Sequence, residues 1–372
     1  MELAVWYYNS GSTPEAEKVL ALSPGSAEVL YWQGFLQHKK VDCAAINPAF
    51  SFPFRTETAY VLEQLLAGQH DWLLKYNLAL IYKDRNRTEE CLRLITACGD
   101  EPNFAPFYAN RAELFAGSDD SKCESDLIKA LSLDKQWRYH RLLATYYINH
   151  RQFEKALAIA EAFYRSQPRN YIMGMLYART LMLNRKFEAA DKILAGLHII
   201  PYEGATDGHE LYREAKLMQA AGYIKKKNFN TALKFINQAR LWPENLGVGK
   251  PYPEDIDTRM EDWMNYLCFS QQKRSAEAQS LLNRIIQFEP RIDNTVRNFA
   301  ASNALVSAWA LEKLNRKNDA SQWINKQIGE FPDNKLLLWS KAEFEHNKTF
   351  VLTEADKDVN VRIIEQLPQV PE

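Results

Sequence analysis

The stretch from Trp137 to Tyr202 repeats itself. Ala144 falls on Ala178, Arg151 on Arg185, Phe153 on Phe187, Glu154 on Glu188 and Ala156 on Ala190, each 34 residues further on. A unit this short cannot bury its own apolar face, so copies must stack and the chain is constrained to an array. Each unit holds two apolar-periodic segments of helical length. In the first, Leu142, Leu143, Tyr146 and Tyr147 recur at helical spacing and predict one buried stripe. Ala144 and Ala156 fall where the two helices cross, where a larger side chain would hold the axes apart. The turn Asn149-His150-Arg151-Gln152 is echoed by Asn184-Arg185-Lys186-Phe187 and Asn315-Arg316-Lys317-Asn318. Asparagine there predicts a left-handed helix end, and Pro168 and Pro201 predict the ends of second helices.

A helix–turn–helix period of about 34 residues is the signature of the tetratricopeptide repeat. The small residue of each second helix traces it along the chain: Ala16, Ala59, Cys91, Cys123, Ala156, Ala190, Ala232, Ala278, Ala320 and Ala355. A partner stands twelve residues earlier in most first helices, at Ala4, Ala79, Ala144, Ala178, Ala220, Tyr266, Ala308 and Ala342, while Ala112 stands eleven before Cys123. The fold class read from this is all-α: a right-handed α-solenoid of about ten tetratricopeptide-like helix pairs, a single superhelix over residues 1–372. Pairs are expected at 71–98, 104–132, 137–167, 171–198, 258–288 and 295–331, with a polar terminal pair over 335–347 and 354–367. Thr13 with Pro14, and Thr258 with Glu261, have the spacing of helix starts.

Composition narrows the function classes. Lys and Arg total 46 against 47 Asp and Glu, for a net charge of −1, so there is no electrostatic case for nucleic acid or an anionic membrane. No apolar run approaches a membrane span. Five cysteines without a CxxC read as buried free thiols. The first residues carry no leader pattern and read as a helix cut short, so the expectation is a fragment of a longer protein. The compartment is then open, cytoplasmic by default with the periplasm kept.

Four intervals of the small-residue series are lengthened by insertions, and three of the loops stand out: Phe52-Pro53-Phe54-Arg55, Pro201-Tyr202-Glu203-Gly204 and Pro243-Glu244-Asn245-Leu246-Gly247-Val248-Gly249-Lys250. At these loops the chain resembles a bacterial family in which a galactose-mutarotase-like β-sandwich domain of uncharacterised function precedes a tetratricopeptide array. In that family the second loop is richer in glycine than here, where Ala205 and Thr206 follow Gly204. The resemblance implies that the chain is the C-terminal array, associated with carbohydrate-related proteins, with no activity assigned to the array.

No constellation for catalysis, cofactor or metal emerges. Gly247-Val248-Gly249-Lys250-Pro251 lacks the first glycine and the hydroxyl residue of a phosphate loop. His209-Glu210 lacks the second histidine of a zinc helix, because Arg213 stands there. Glu254, Asp255, Asp257, Glu261 and Asp262 form a carboxylate cluster at a helix start, to be weighed against a glycosidase pair. By repeat register Tyr76, Arg141, Met175, Arg179 and Trp263 are candidates to line the concave groove. Phe54, Arg55, Tyr202, Glu203, Trp242, Glu244, Asn245 and Tyr252 are the candidate loop site. The function read from these is a non-catalytic protein-interaction scaffold, not an enzyme, binding an adjacent domain or partner protein through its concave face and loops. The rival reading is an accessory region that completes a carbohydrate site of the sandwich domain, with Trp242, Tyr252 and Tyr202 stacking on sugar and Glu203 or Glu244 bonding hydroxyls. Inserted loops that fill the groove are the remaining alternative.

Overall fold

Helix pairs are what a 34-residue period demands, and the chain forms them. The structure, a computed structural model, describes residues 1–23, 25–202, 205–288, 301–347, 349–353 and 356–368. Among these are twenty α-helices and no strand. The helices gather into two compact units, Met1–Arg151 and Gln152–Glu372.

The first unit holds α1 (Glu2–Asn9), α2 (Thr13–Ala21), α3 (Ala27–Leu36), α4 (Thr56–Gly68), α5 (Trp72–Asp84), α6 (Thr88–Ala97), α7 (Ala105–Phe115), α8 (Asp120–Leu133) and α9 (Trp137–Asn149). Consecutive helices pack in twos, α1 on α2 through α7 on α8. The second unit holds α10 (Phe153–Ser166), α11 (Tyr171–Leu183), α12 (Phe187–Gly196), α13 (Asp207–Lys225), α14 (Phe229–Ala239), α15 (Arg259–Gln271), α16 (Ser275–Gln287), α17 (Asn303–Lys313), α18 (Lys317–Glu330), α19 (Lys335–Phe344) and α20 (Val359–Ile364). In it the first helices α11, α13, α15, α17 and α19 pack side by side.

A local hydrogen-bond pattern sets the twelve-residue spacing. Asn86, Arg185, Lys227, Lys273 and Asn315 are left-handed, with φ between 55° and 61°. The next residue donates its N–H five residues back: Arg87 to Tyr82, Lys186 to Leu181, Asn228 to Tyr223, Arg274 to Phe269 and Arg316 to Leu311. This is a Schellman closure of the first helix. The same residue caps the second helix, and its carbonyl accepts the N–H of the small residue four further on, at Cys91, Ala190, Ala232, Ala278 and Ala320. In these five turns the small residue therefore stands five past the left-handed one. At Ala79, Ala144, Ala178, Ala220 and Ala308, and at Cys91, Ala156, Ala190, Ala232 and Ala320, no side-chain surface is exposed, so closeness of the helix axes is bought at both crossing positions. Between α7 and α8 the turn residue is Gly117, and there the spacing contracts to eleven.

The asparagine reading of the turn needs correction. Asn315 is left-handed, but in the aligned turns the conformation falls on Arg151 and Arg185, not on Asn149 or Asn184. Position relative to the small residue decides the conformation, and the residue type follows it only loosely. Other boundaries move for local reasons. Ser12, not Thr13, is the N-cap of α2. Leu142 stands out of the stripe while Leu143, Tyr146 and Tyr147 are buried. Helix α12 ends at Gly196, well before Pro201, because Leu197 turns extended and buries its side chain. Thr258 caps α15 without a side-chain bond, since the Glu261 carboxylate is given to Arg213. All five cysteines are free and buried.

The largest departure is at the end of the chain. Helix α19 forms, but the helix expected over 354–367 is the short α20, and Ala355, with residues 295–300 of an earlier pair, lies outside the described residues. Helix α20 packs on α13. Its Val359, Asn360, Val361 and Ile363 are all buried, and a helix apolar nearly all round is an interior helix, not an outer cap. Val359 and Ile363 join the core of Leu217, Trp263 and Val306, and Val361 joins that of Leu305 and Trp339.

Candidate functional site

The groove candidates divide by burial. Tyr76 is buried against Trp72, Phe104 and Phe107, and its hydroxyl accepts from the Asn110 amide at 2.8 Å. Arg141 is exposed, with its guanidinium 5.4 Å from the Trp137 ring centroid. In the second unit Met175 is half-buried and Arg179 exposed, whereas Trp263 is fully buried and stacks on both Tyr266 and Trp309. Tyr76 and Trp263 are therefore core residues.

The reason Trp263 is inaccessible lies in a polar network between first helices and the C-terminal segment. Arg213 on α13 donates to both Glu261 carboxylate oxygens on α15, at 2.5 and 3.0 Å, and to the Asn360 side-chain oxygen at 2.8 Å. The Asn360 amide donates to Asn303 on α17 at 2.9 Å. Arg259 pairs with Asp257 at 2.6 Å and donates to the Ser307 hydroxyl at 2.8 Å. At the edge, Arg362 forks onto Glu214 at 2.9 and 3.0 Å. The chain's own α20 thus packs on α13 and is bonded to α13 and α17 through Asn360. The sequence carried a faint signal in Val359-Asn360-Val361-Arg362-Ile363-Ile364, where apolar residues leave no solvent face, and in the arginines Arg213 and Arg259 standing within helices.

The carboxylate cluster dissolves into ion pairs. Glu261 is held by Arg213, Asp257 by Arg259, and Asp262 by Arg240 and Arg284. Glu254 and Asp255 are exposed. A glycosidase needs an acid and a free carboxylate facing each other across a bond, and three of these five are committed to arginine. His209 is no ligand either: it is buried, stacked 3.5 Å from Trp242 with an interplanar angle of 3°. Burial first, and then the charge of Arg213, pushes its pKa down to about 3, so the ring is neutral. Among the described residues no group of three His, Cys, Asp or Glu could hold a metal ion. No helix among them is long and apolar enough to cross a membrane.

The loops are built on buried anchors. In the first, residues 50–54 alternate: Phe50, Phe52 and Phe54 face water, with Phe50 80% exposed, while Ser51 and Pro53 face inward. The Ser51 hydroxyl accepts from the Asn77 amide at 2.6 Å, and Asn77 also reaches the Tyr31 hydroxyl. Arg55 lies 4.5 Å from the Phe54 ring centroid and pairs with Glu28 at 2.8 Å and with Glu2. The third insertion bonds to the end of α12 and the residues just after it. The Asn245 amide donates to the Leu194 and Leu197 carbonyls, and its own carbonyl accepts from Ile199. Gly247 is left-handed at φ 68°, and a Cβ there would meet the Ile199 carbonyl at 2.8 Å, so only glycine fits. Asn245 is thus a clasp. Trp242 is half-buried against His209, and Glu244 is exposed. Ile200, Tyr202, Leu241 and Tyr252 remain in water, with Tyr252 74% exposed. Glu203 and Gly204 lie outside the described residues.

No protein-family model matches the chain, and no curated protein does. Solved structures to which it is similar are repeat proteins. A chain of the Naa15/Naa10 complex bound to HypK-THB aligns at 16% identity over 80% of this chain and 42% of that one, with a TM-score of 0.43. This chain therefore spans less than half the length of that protein. The C-terminal part of a TPR repeat-containing protein from Cytophaga hutchinsonii aligns at 13% identity over 64% of this chain and 91% of that one, with a TM-score of 0.45. Yeast Tom70 aligns at 14% identity over 88% and 65%, with a TM-score of 0.37.

Proposed function

We propose that this chain is a non-catalytic protein-interaction scaffold that binds an adjacent domain or a partner protein, and that its inserted loops carry the contact. The supporting observation is where large apolar side chains meet water. Phe50, Phe52, Phe54, Ile200, Tyr202, Leu241 and Tyr252 all stand on or beside the three insertions. In the first insertion Phe52 stands between buried Ser51 and Pro53, so that stretch of backbone has little ordering entropy left to lose on binding, and aromatic anchors of this kind dominate interface energies. Part of the first-helix face of the second unit, the ordinary alternative, is occupied where α20 packs on α13. Of the residues in the carbohydrate reading, Trp242 already stacks on His209.

The family resemblance makes the β-sandwich domain the first partner to test. Calorimetric titration of the chain with that domain, expressed separately, should show saturable binding. Phe52→Ser or Tyr252→Ser should weaken it about tenfold. Binding untouched by both substitutions would contradict the loop contact. Absence of heat up to about 0.1 mM would remove the sandwich domain as partner.

A further inference from the structure

Where α12 begins and α13 ends, the second unit holds a cleft of about 600 Å³. Its floor is apolar, made by Phe187, Met218 and Tyr223. Its rim is cationic: Arg185, Lys186, Lys192, Lys225 and Lys226 line it against the single carboxylate of Glu188. That carboxylate is tied to Lys192 at 2.9 Å. The cleft is thus strongly positive on a chain whose net charge is −1. Helix α12 starts here without a side-chain cap, which adds the positive end of its dipole to the same field. The C-terminal segment supplies a wall, where Gln366 accepts from Arg185 at 2.5 Å and fixes that guanidinium.

We propose that this cleft binds an acidic peptide segment of a partner protein, with an apolar side chain on the floor and carboxylates at the rim. Its volume lies within the range of ligand sites, about 300–1,000 Å³. Four lysines and one arginine spread around an opening are separate point charges, suited to carboxylates spaced along a chain more than to one compact phosphate. An inorganic anion would leave the floor of Phe187, Met218 and Tyr223 unused. Rim charges of this kind accelerate association and choose partners by sign. The cleft uses no loop residue, so this inference and the loop contact stand or fall separately.

The test is fluorescence anisotropy with a labelled peptide of repeating Glu-Leu-Glu-Glu. The full chain should bind it saturably and more weakly as salt rises. Lys225→Glu/Lys226→Glu should raise Kd about tenfold or more. Lys39→Glu/Lys40→Glu, with the same charge change on exposed residues of the first unit, should leave Kd within about twofold. A peptide with serine for leucine should bind more weakly. Circular dichroism checks that both variants fold. Equal losses in the two double variants, or no binding up to about 1 mM, would overturn the site. So would competition by inorganic phosphate against a peptide indifferent to the serine change, because that describes a small-anion site.

Discussion

Lys273 carries a left-handed backbone with φ of 59° between α15 and α16, where a Cβ is a steric cost and glycine bears none. Lys273→Gly should raise unfolding stability by about 0.5–1 kcal/mol, and Lys273→Val should lower it, as read by urea denaturation. That turn position was legible in the sequence only as a neighbourhood. The small residue five further on is the sharper marker, because a cap and a Schellman bond fix the interval. His209 makes a prediction in pH. Its folded pKa of about 3 lies below the ordinary 6.5, so between these values the unfolded chain binds the extra proton. Stability from this group is present above pH 6.5 and is lost as pH falls towards 3, by up to about 1.4 kcal/mol per pH unit. His209→Phe keeps a ring against Trp242 without the titration. Its stability relative to the parent should therefore rise between pH 7 and pH 4.5, and a constant difference would contradict the assignment.

Elements were legible where a stripe and a turn agreed. Helices α5 to α12 fall within a residue or two of the pairs expected from spacing alone, since each is specified by its own crossing residues. The C-terminal element was not legible, because its partners are distant in sequence: Asn360 meets Arg213 147 residues away and Asn303 57 residues away. A periodicity window sees only the local polarity of such residues. The local roles of Asn245 and Trp242 were hidden in the same way, for they are polar or aromatic in any local reading, and their partners are the end of α12 with Leu197 and Ile199, and His209 of α13. At this scale the buried pair of Arg213 and Glu261 is the sensitive point. Glu261→Leu strands a buried guanidinium and should cost about 3–5 kcal/mol in denaturant unfolding. Adding Arg213→Leu should recover part of the loss, since two apolar residues need no partner. A double variant as unstable as the sum of both singles would place the energy elsewhere.

For the whole molecule, the small crossing residues announce an array, and an array ordinarily offers the face of its first helices. Here α20 packs on α13 in the second unit, with its Asn360 and Val361 fully buried, and seven of the large apolar side chains left in water stand on or beside the insertions. The case for the loop contact leans on this packing, so the packing is the claim to test. Native-state hydrogen exchange of the chain alone does so most directly. If α20 is integral, the amides of Val361 to Ile364 exchange only with the global opening of their unit, within about tenfold of the slowest amides of α13. If those amides exchange far faster than α13 under native conditions, the segment is a detachable occupant, the first-helix face opens without unfolding, and the case for the loops as the contact surface fails.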